Sequence, residues 1–233
     1  TRKESSEASD VYKRQEIHHH YIMNLINIFT TYFHYLIHPF KTHEMLVHPE
    51  RFPDESILRL GVYESLTTSW VFVMLNGILR IILLNFVLLL LVDVMQNTDF
   101  AILEMMNIQD TPGLYFIVLS AILDIIFYPL FGIFMIQFWE FIIRTYAKLM
   151  GVQGDITQKA QDILAVNMSS KVLMLIPFFG SALESMASMV LMYAGLRRQL
   201  NASVGLSLCI IFTPVLFMLV LATMVLTFSL VIL

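Results

Sequence analysis

The chain is 233 residues long, 58% hydrophobic and 14% charged, with a formal net charge of −4 and a mean hydropathy of +0.74. A water-soluble domain carries roughly a quarter charged residues to keep its surface wet, so the medium this fold expects is lipid. The negative balance excludes a nucleic-acid binder, which needs a basic stripe, and a single cysteine, Cys209, excludes a disulfide framework or a cysteine metal site within one chain.

Residues 1–15 stand apart. Ser5 to Gln15 reads SSEASDVYKRQ, like the translation of a transposon-derived library adapter with one mismatch at Glu7, and is expected to be a scar outside the fold. Met23 is then a candidate start. Residues 16–65 are expected to form an interfacial helix and an approach segment. Between Met23 and His38, Leu25, Ile28, Phe29, Tyr32, Phe33 and Leu36 share one helical face, while Asn27, Thr31, His34 and His38 share another. The segment is short for a crossing and Pro39 ends it, which predicts an amphipathic helix lying in the membrane interface. Pro53-Asp54-Glu55-Ser56 reads as the start of a further approach helix, with a proline in the first turn and acids at the positive end of the dipole.

Residues 66–233 are expected to be an all-α membrane bundle of about five transmembrane helices, at about 70–92, 115–137, 160–178, 181–196 and 206–231. Pro129 should kink the second without breaking it. The Pro177 to Gly180 punctuation should turn the chain between the third and fourth. Charge supports this count. No Lys or Arg lies between Arg80 and Arg144, whereas Arg144, Lys148, Lys159, Arg197, Arg198 and the N-terminal Lys41, Arg51 and Arg59 all fall on one side of a five-span arrangement. The positive-inside rule makes that side cytoplasmic.

Ionisable residues inside a membrane are costly and mark candidate sites; four qualify, Arg80, Asp124, Lys171 and Glu184. Arg80 and Asp124 sit near the middle of antiparallel neighbours, offset by an amount on the order of 5 Å. Lys171 and Glu184 flank the Pro177 turn at comparable distances. Two intramembrane ion pairs are therefore expected, Arg80–Asp124 and Lys171–Glu184, structural or functional. Ser181, Ser185 and Ser188 recur at helical spacing on the fourth span and predict a face buried against another helix, within the chain or across a dimer.

His34, His38, His43 and His48 raise a metal site. The two in His43-Glu44-Met45-Leu46-Val47-His48 are five apart, however, not the four that lets zinc-protease histidines converge, and metal binding is not expected. Asn167-Met168-Ser169 and Asn201-Ala202-Ser203 match the glycosylation sequon in spelling, but one falls in a span and the other in a predicted cytoplasmic loop. No phosphate-cradling glycine loop or nucleophile elbow is present, and the fifteen methionines read as soft packing. Neither an enzyme nor a cofactor is expected.

ILAVNMSSK at 163–171, IPFFG at 176–180, AGLRRQLNAS at 194–203 and LIHPFKTHEMLVHPE at 36–50 together resemble the YIP family of Ypt/Rab-interacting multi-span membrane proteins (the Yip domain), its bacterial members above all. The resemblance covers roughly residues 30–230. It implies a five-helix membrane domain with a cytoplasmic N-terminus and, for eukaryotic members, Rab-type GTPase partners in vesicle traffic. The chain departs from those members in lacking their acidic Asp-Leu-Tyr-Gly-Pro element, so a small GTPase partner is not expected. The expected function is a membrane scaffold or adaptor in membrane organisation, in contact with lipid, other integral membrane proteins or itself. Its expected location is the bacterial cytoplasmic membrane, with a Golgi or ER membrane as the other setting. The competing reading is a transporter or permease subunit working through the four intramembrane charges; such proteins are often built from repeats, and none is evident here.

Overall fold

The computed structural model describes residues 26–53, 58–97 and 112–232, and those residues form helices and connecting turns with no strand. The adapter-like segment, Met23, the helix start expected at 54–56 and the acidic loop at 99–110 lie outside the described residues. Helix α1 covers 26–37 and α2 Pro39–Val47. A short 3-10 turn follows at Pro49–Arg51. Then come α3 (Val62–Asn97), α4 (Pro112–Leu149) and α5 (Ile156–Asn167), which runs into a 3-10 helix at Met168–Leu175, followed by α6 (Gly180–Gln199) and α7 (Val204–Ile232).

Three helices are long and apolar enough to cross a membrane, over Val62–Val87, Val118–Leu149 and Val204–Ser229. The chain is an integral membrane helical protein on that ground. The 160–178 run is not one continuous α-helix: α5 has 12 residues and the 3-10 helix that continues it has 8. α6 is 20 residues long but carries Glu184, Arg197 and Arg198.

Two boundaries differ from the sequence reading. The loop expected to hold Arg144 and Lys148 is helical, because nothing between Ile133 and Leu149 breaks a helix. α4 stops only at Gly151, whose φ of 65° is free of Cβ cost. There Gly151 N–H bonds Lys148 O at 3.1 Å and Val152 N–H bonds Ala147 O at 3.0 Å, the Schellman pattern. The second difference is the approach segment. Residues 58–61 are not helical and α3 begins at Val62, so no approach helix runs unbroken into it; the backbone before α3 is held by a side chain. Tyr35 OH donates to Leu58 O at 2.9 Å and accepts from Leu60 N–H at 3.3 Å. Glu64 then reaches back to Gly61 N–H at 2.8 Å, half of a capping box.

α1 is not a helix lying apart on the surface. Tyr32 and Tyr35 are 0% and 1% exposed, packed with Phe72, Val166, Val172 and Leu191. Thr31, expected on the outer polar face, is buried, whereas Phe33, Ile37 and Phe40 are exposed. Polar-in and apolar-out is what a lipid environment favours once the polar groups find partners within the protein, as Tyr32 OH does on Ser65 O at 2.6 Å.

α3 and α4 form a long hairpin. Pro129 has no N–H, which orphans the carbonyl four residues earlier. The Trp70 indole donates to that carbonyl, Ile125 O, at 2.8 Å, and α4 continues through the proline. Ser69 and Tyr128 share a 2.7 Å bond between the same helices. The second core lies where α5 meets α4 and α6, with Ile143, Ala147, Ile163, Ala165 and Leu196 buried. α6 comes close enough there because residue 195 is glycine: a Cβ would stand 2.9 Å from Ile163 side-chain atoms and 3.0 Å from His43 Cε1. Beyond Ile210, which is buried, α7 exposes one large apolar side chain after another from Phe212 to Phe228, as a lipid-facing helix does.

Candidate functional site

Arg80, halfway along α3, approaches Asp124 on α4 to 3.9 Å, and both side chains are about half exposed (46% and 65%). Lys171, on the 3-10 helix, meets Glu184 on α6 at 2.9 Å, with 27% and 15% exposure. Ser170 adds a hydroxyl to Glu184 Oε1 at 3.2 Å. The structure thus brings together both sets of residues singled out by depth. The inner pair is the shorter and better covered.

The pairs share a cavity system. A cavity of about 390 Å³ is lined by Arg80, Asp124 and Lys171 with Asn76 and Tyr128. A second, of about 240 Å³, holds Lys171 and Glu184 with Asn167, Ser170 and Ser188. Lys171 stands on the wall of both. Asn76, Asn167 and Ser170 belong to this polar seam and were not singled out by sequence. A lone amide in an apolar run carries no sign of what it faces, although spacing alone puts Asn76 one helical turn from Arg80.

Within the chain the serine face is covered only in part. Ser181 and Ser185 are exposed, Ser185 bonding back to Ser181 O at 2.9 Å; only Ser188 turns inward, donating to Asn167 Oδ1 at 3.0 Å. The inward stripe of α6 is Glu184, Ser188, Leu191 and Gly195, at spacings of four, three and four. Ser181 and Ser185 lie around the helix from it, so the close-packing role falls to Ala194 and Gly195.

The histidines scatter, and among the described residues no three metal-type ligands come together. His34 and His38 rings stand 5.2 Å apart, and His48 Nδ1 is 3.1 Å from Glu50. His43 is wholly buried between α2 and α6. Gln199 Nε2 lies 2.9 Å from His43 Nδ1, so the neutral ring accepts there. Its Nε2 points toward the Leu191 backbone without a well-formed hydrogen bond. Burial pushes this imidazole down from 6.5 to about 4. The unfolded chain therefore takes up the proton first, and stability present above pH 6.5 is lost as pH falls toward 4. Unfolding in detergent should show the parent losing about 2 kcal/mol between pH 7 and pH 5 relative to His43→Gln. Equal slopes for the two proteins would remove His43 from the account.

The contact that sequence inspection missed altogether joins Arg59, just before α3, to Asp162 on α5. Arg59 Nε donates to Asp162 Oδ1 at 3.1 Å, its NH2 donates to Oδ2, and Gln158 Nε2 adds a third bond at 3.2 Å. Asp162 is buried. The partners are 103 residues apart, a separation that leaves no local pattern.

These contacts also gather the basic segments at one end of the bundle. Arg59 is joined to α5 beside Lys159. Arg51 and Arg198 each lie 3.5 Å from Glu44. Arg144 and Gln161 share Glu140, at 3.2 and 3.5 Å. Compared with family models, with curated proteins and with solved structures, the chain gives no match.

Proposed function

We propose that the chain is a non-enzymatic membrane scaffold or adaptor of the YIP type, crossing the bilayer five times with its basic end in the cytoplasm. α3, α4 and α7 supply three crossings. The α5–α6 hairpin supplies two, its apolar tip at Ile176–Phe178 lying beside Leu83, Leu84 and Val87 of α3 around one cavity, at the end of that helix's apolar window. At a rise of about 1.5 Å per α residue and about 2.0 Å per 3-10 residue, α5 and its continuation reach about 34 Å. That suits a hydrocarbon core about 30 Å thick. The membrane is the bacterial cytoplasmic membrane, and the partners are other integral membrane proteins or further copies of the chain.

The observation that carries the scaffold reading is the pairing of the intramembrane charges: each cation has an acid of the same chain beside it, at 3.9 and 2.9 Å. Charges so matched hold helices together and need no substrate. The transport reading is favoured by one observation, the position of Lys171 between the two cavities.

Exchange of charges separates them. A scaffold tolerates Arg80→Asp combined with Asp124→Arg. The single Arg80→Asp should cut folded membrane yield several-fold and the double exchange should recover most of it. Recovery of yield together with loss of solute flux across proteoliposomes would sink the scaffold. Topology is tested by cysteine accessibility in a Cys209→Ser background: Arg144→Cys and Arg197→Cys label from one face and Phe178→Cys from the other.

A further inference from the structure

At the basic end of the bundle a cavity of about 530 Å³ opens between α2 and the α6–α7 turn. Its wall carries three guanidinium groups, those of Arg51, Arg197 and Arg198, against one lining carboxylate, Glu44. His48 also lines it, with Glu50 outside the lining held against its ring. Glu44 stands 3.5 Å from both Arg51 and Arg198. That distance is at the edge of hydrogen bonding, so a stronger anion can displace it. Arg197 is committed otherwise: its NH1 donates to Ala202 O at 2.6 Å, holding the turn after α6.

The rim toward the apolar surface is aromatic. Phe40 and Tyr193 meet edge to face at 6.2 Å, and Arg198 lies 6.0 Å over the Phe40 ring. The helices flanking the cavity expose Phe33, Ile37 and Phe40 on one side and Met186, Met189 and Val190 on the other. Excess positive charge, exchangeable donors and an apolar border together fit one kind of ligand.

We propose that this cavity binds the phosphate-bearing headgroup of an anionic phospholipid from the leaflet on the basic side of the membrane. Arg51 and Arg198 grip the phosphate oxygens, whose planar-fork match suits guanidinium groups. The volume exceeds a phosphate and leaves room for the polar group beyond it, while the acyl chains lie along the exposed apolar residues of α1, α2 and α6. Basic pockets between helices on the cytoplasmic side are suited to such headgroups. The site depends on the membrane embedding, not on whether the chain acts as a scaffold.

The test is native mass spectrometry of the full chain in neutral detergent. It is titrated with phosphatidylglycerol, with phosphatidylcholine, and with soluble glycerol phosphate. The parent should retain phosphatidylglycerol over phosphatidylcholine. Arg51→Gln with Arg198→Gln, which spares the structural Arg197, should weaken retention roughly thirtyfold, since each basic residue contributes about a factor of five. Glu44→Gln, which removes the competing anion, should tighten it roughly fivefold; a purely structural role for these residues predicts no tightening. Lys148→Gln, at the same end but outside the cavity, should change nothing. Equal retention of the two lipids, or an undiminished preference in the double variant, overturns the proposal. Displacement of phosphatidylglycerol by equimolar glycerol phosphate overturns the lipid assignment in favour of a soluble phosphate.

Discussion

Replacing Glu184 with leucine should cost about 3 kcal/mol of stability in detergent, because it leaves the Lys171 ammonium without its acid in a largely covered site that the five-span proposal puts at membrane depth. The two side chains are 2.9 Å apart and mostly covered, so water cannot readily replace the lost partner. The measurement is equilibrium unfolding by a denaturing detergent, read from helical content. Glu184→Gln should be milder, since the amide oxygen still accepts from Lys171 and from Ser170. Lys171→Met combined with Glu184→Leu should recover most of the loss, as apolar replacement of a buried pair commonly does. If the leucine variant unfolds at the parent's midpoint, the pair holds nothing together, and the charges would then be better read as a route for ions.

The second large effect is expected at the base of α3. Arg59→Ala strands a buried carboxylate at Asp162, which is only 7% exposed, and should cost about 2 kcal/mol. Buried pairs broken on one side typically lose about 3–5 kcal/mol; half-exposure of Arg59 lets water recover part of that. Asp162→Ala should be less damaging, about 1 kcal/mol, because the arginine it abandons already reaches solvent. The asymmetry is the diagnostic. Arg59→Lys should lie between parent and Arg59→Ala, keeping the charge while giving up the two-pronged fit. A double variant costing the full sum of the single losses would show that the two side chains do not interact.

Both predictions concern charges, yet only one of the two pairs was legible beforehand. Lys171 and Glu184 flank a turn that Pro177 and Gly180 announce, so equal distance from that turn places them at one depth. Arg80 and Asp124 follow the same logic across their longer hairpin. Arg59 and Asp162 share no turn; Arg59 precedes the first expected span and Asp162 stands at the very start of the third, and their meeting depends on how α5 lies against the start of α3. The serines, of which only Ser188 turns inward within the chain, show a related limit. Spacing says that Ser181, Ser185 and Ser188 lie near one another on α6, but which side of a helix is covered is decided by its neighbours, and α5 and α2 cover the side bearing Gly195.

The sequence by itself determined the solvent of this protein, its long apolar helices and the clustering of its basic residues. Those properties come from composition and local order, since lipid demands unbroken apolar runs with satisfied backbones and punishes unpaired charge. Tertiary structure alone decided that α1 turns Tyr32 and Tyr35 inward, that Trp70 satisfies the carbonyl freed by Pro129, and that three arginines from two distant segments face one cavity. Each joins residues tens of positions apart or more, where the chain's own spacing no longer constrains direction and packing does.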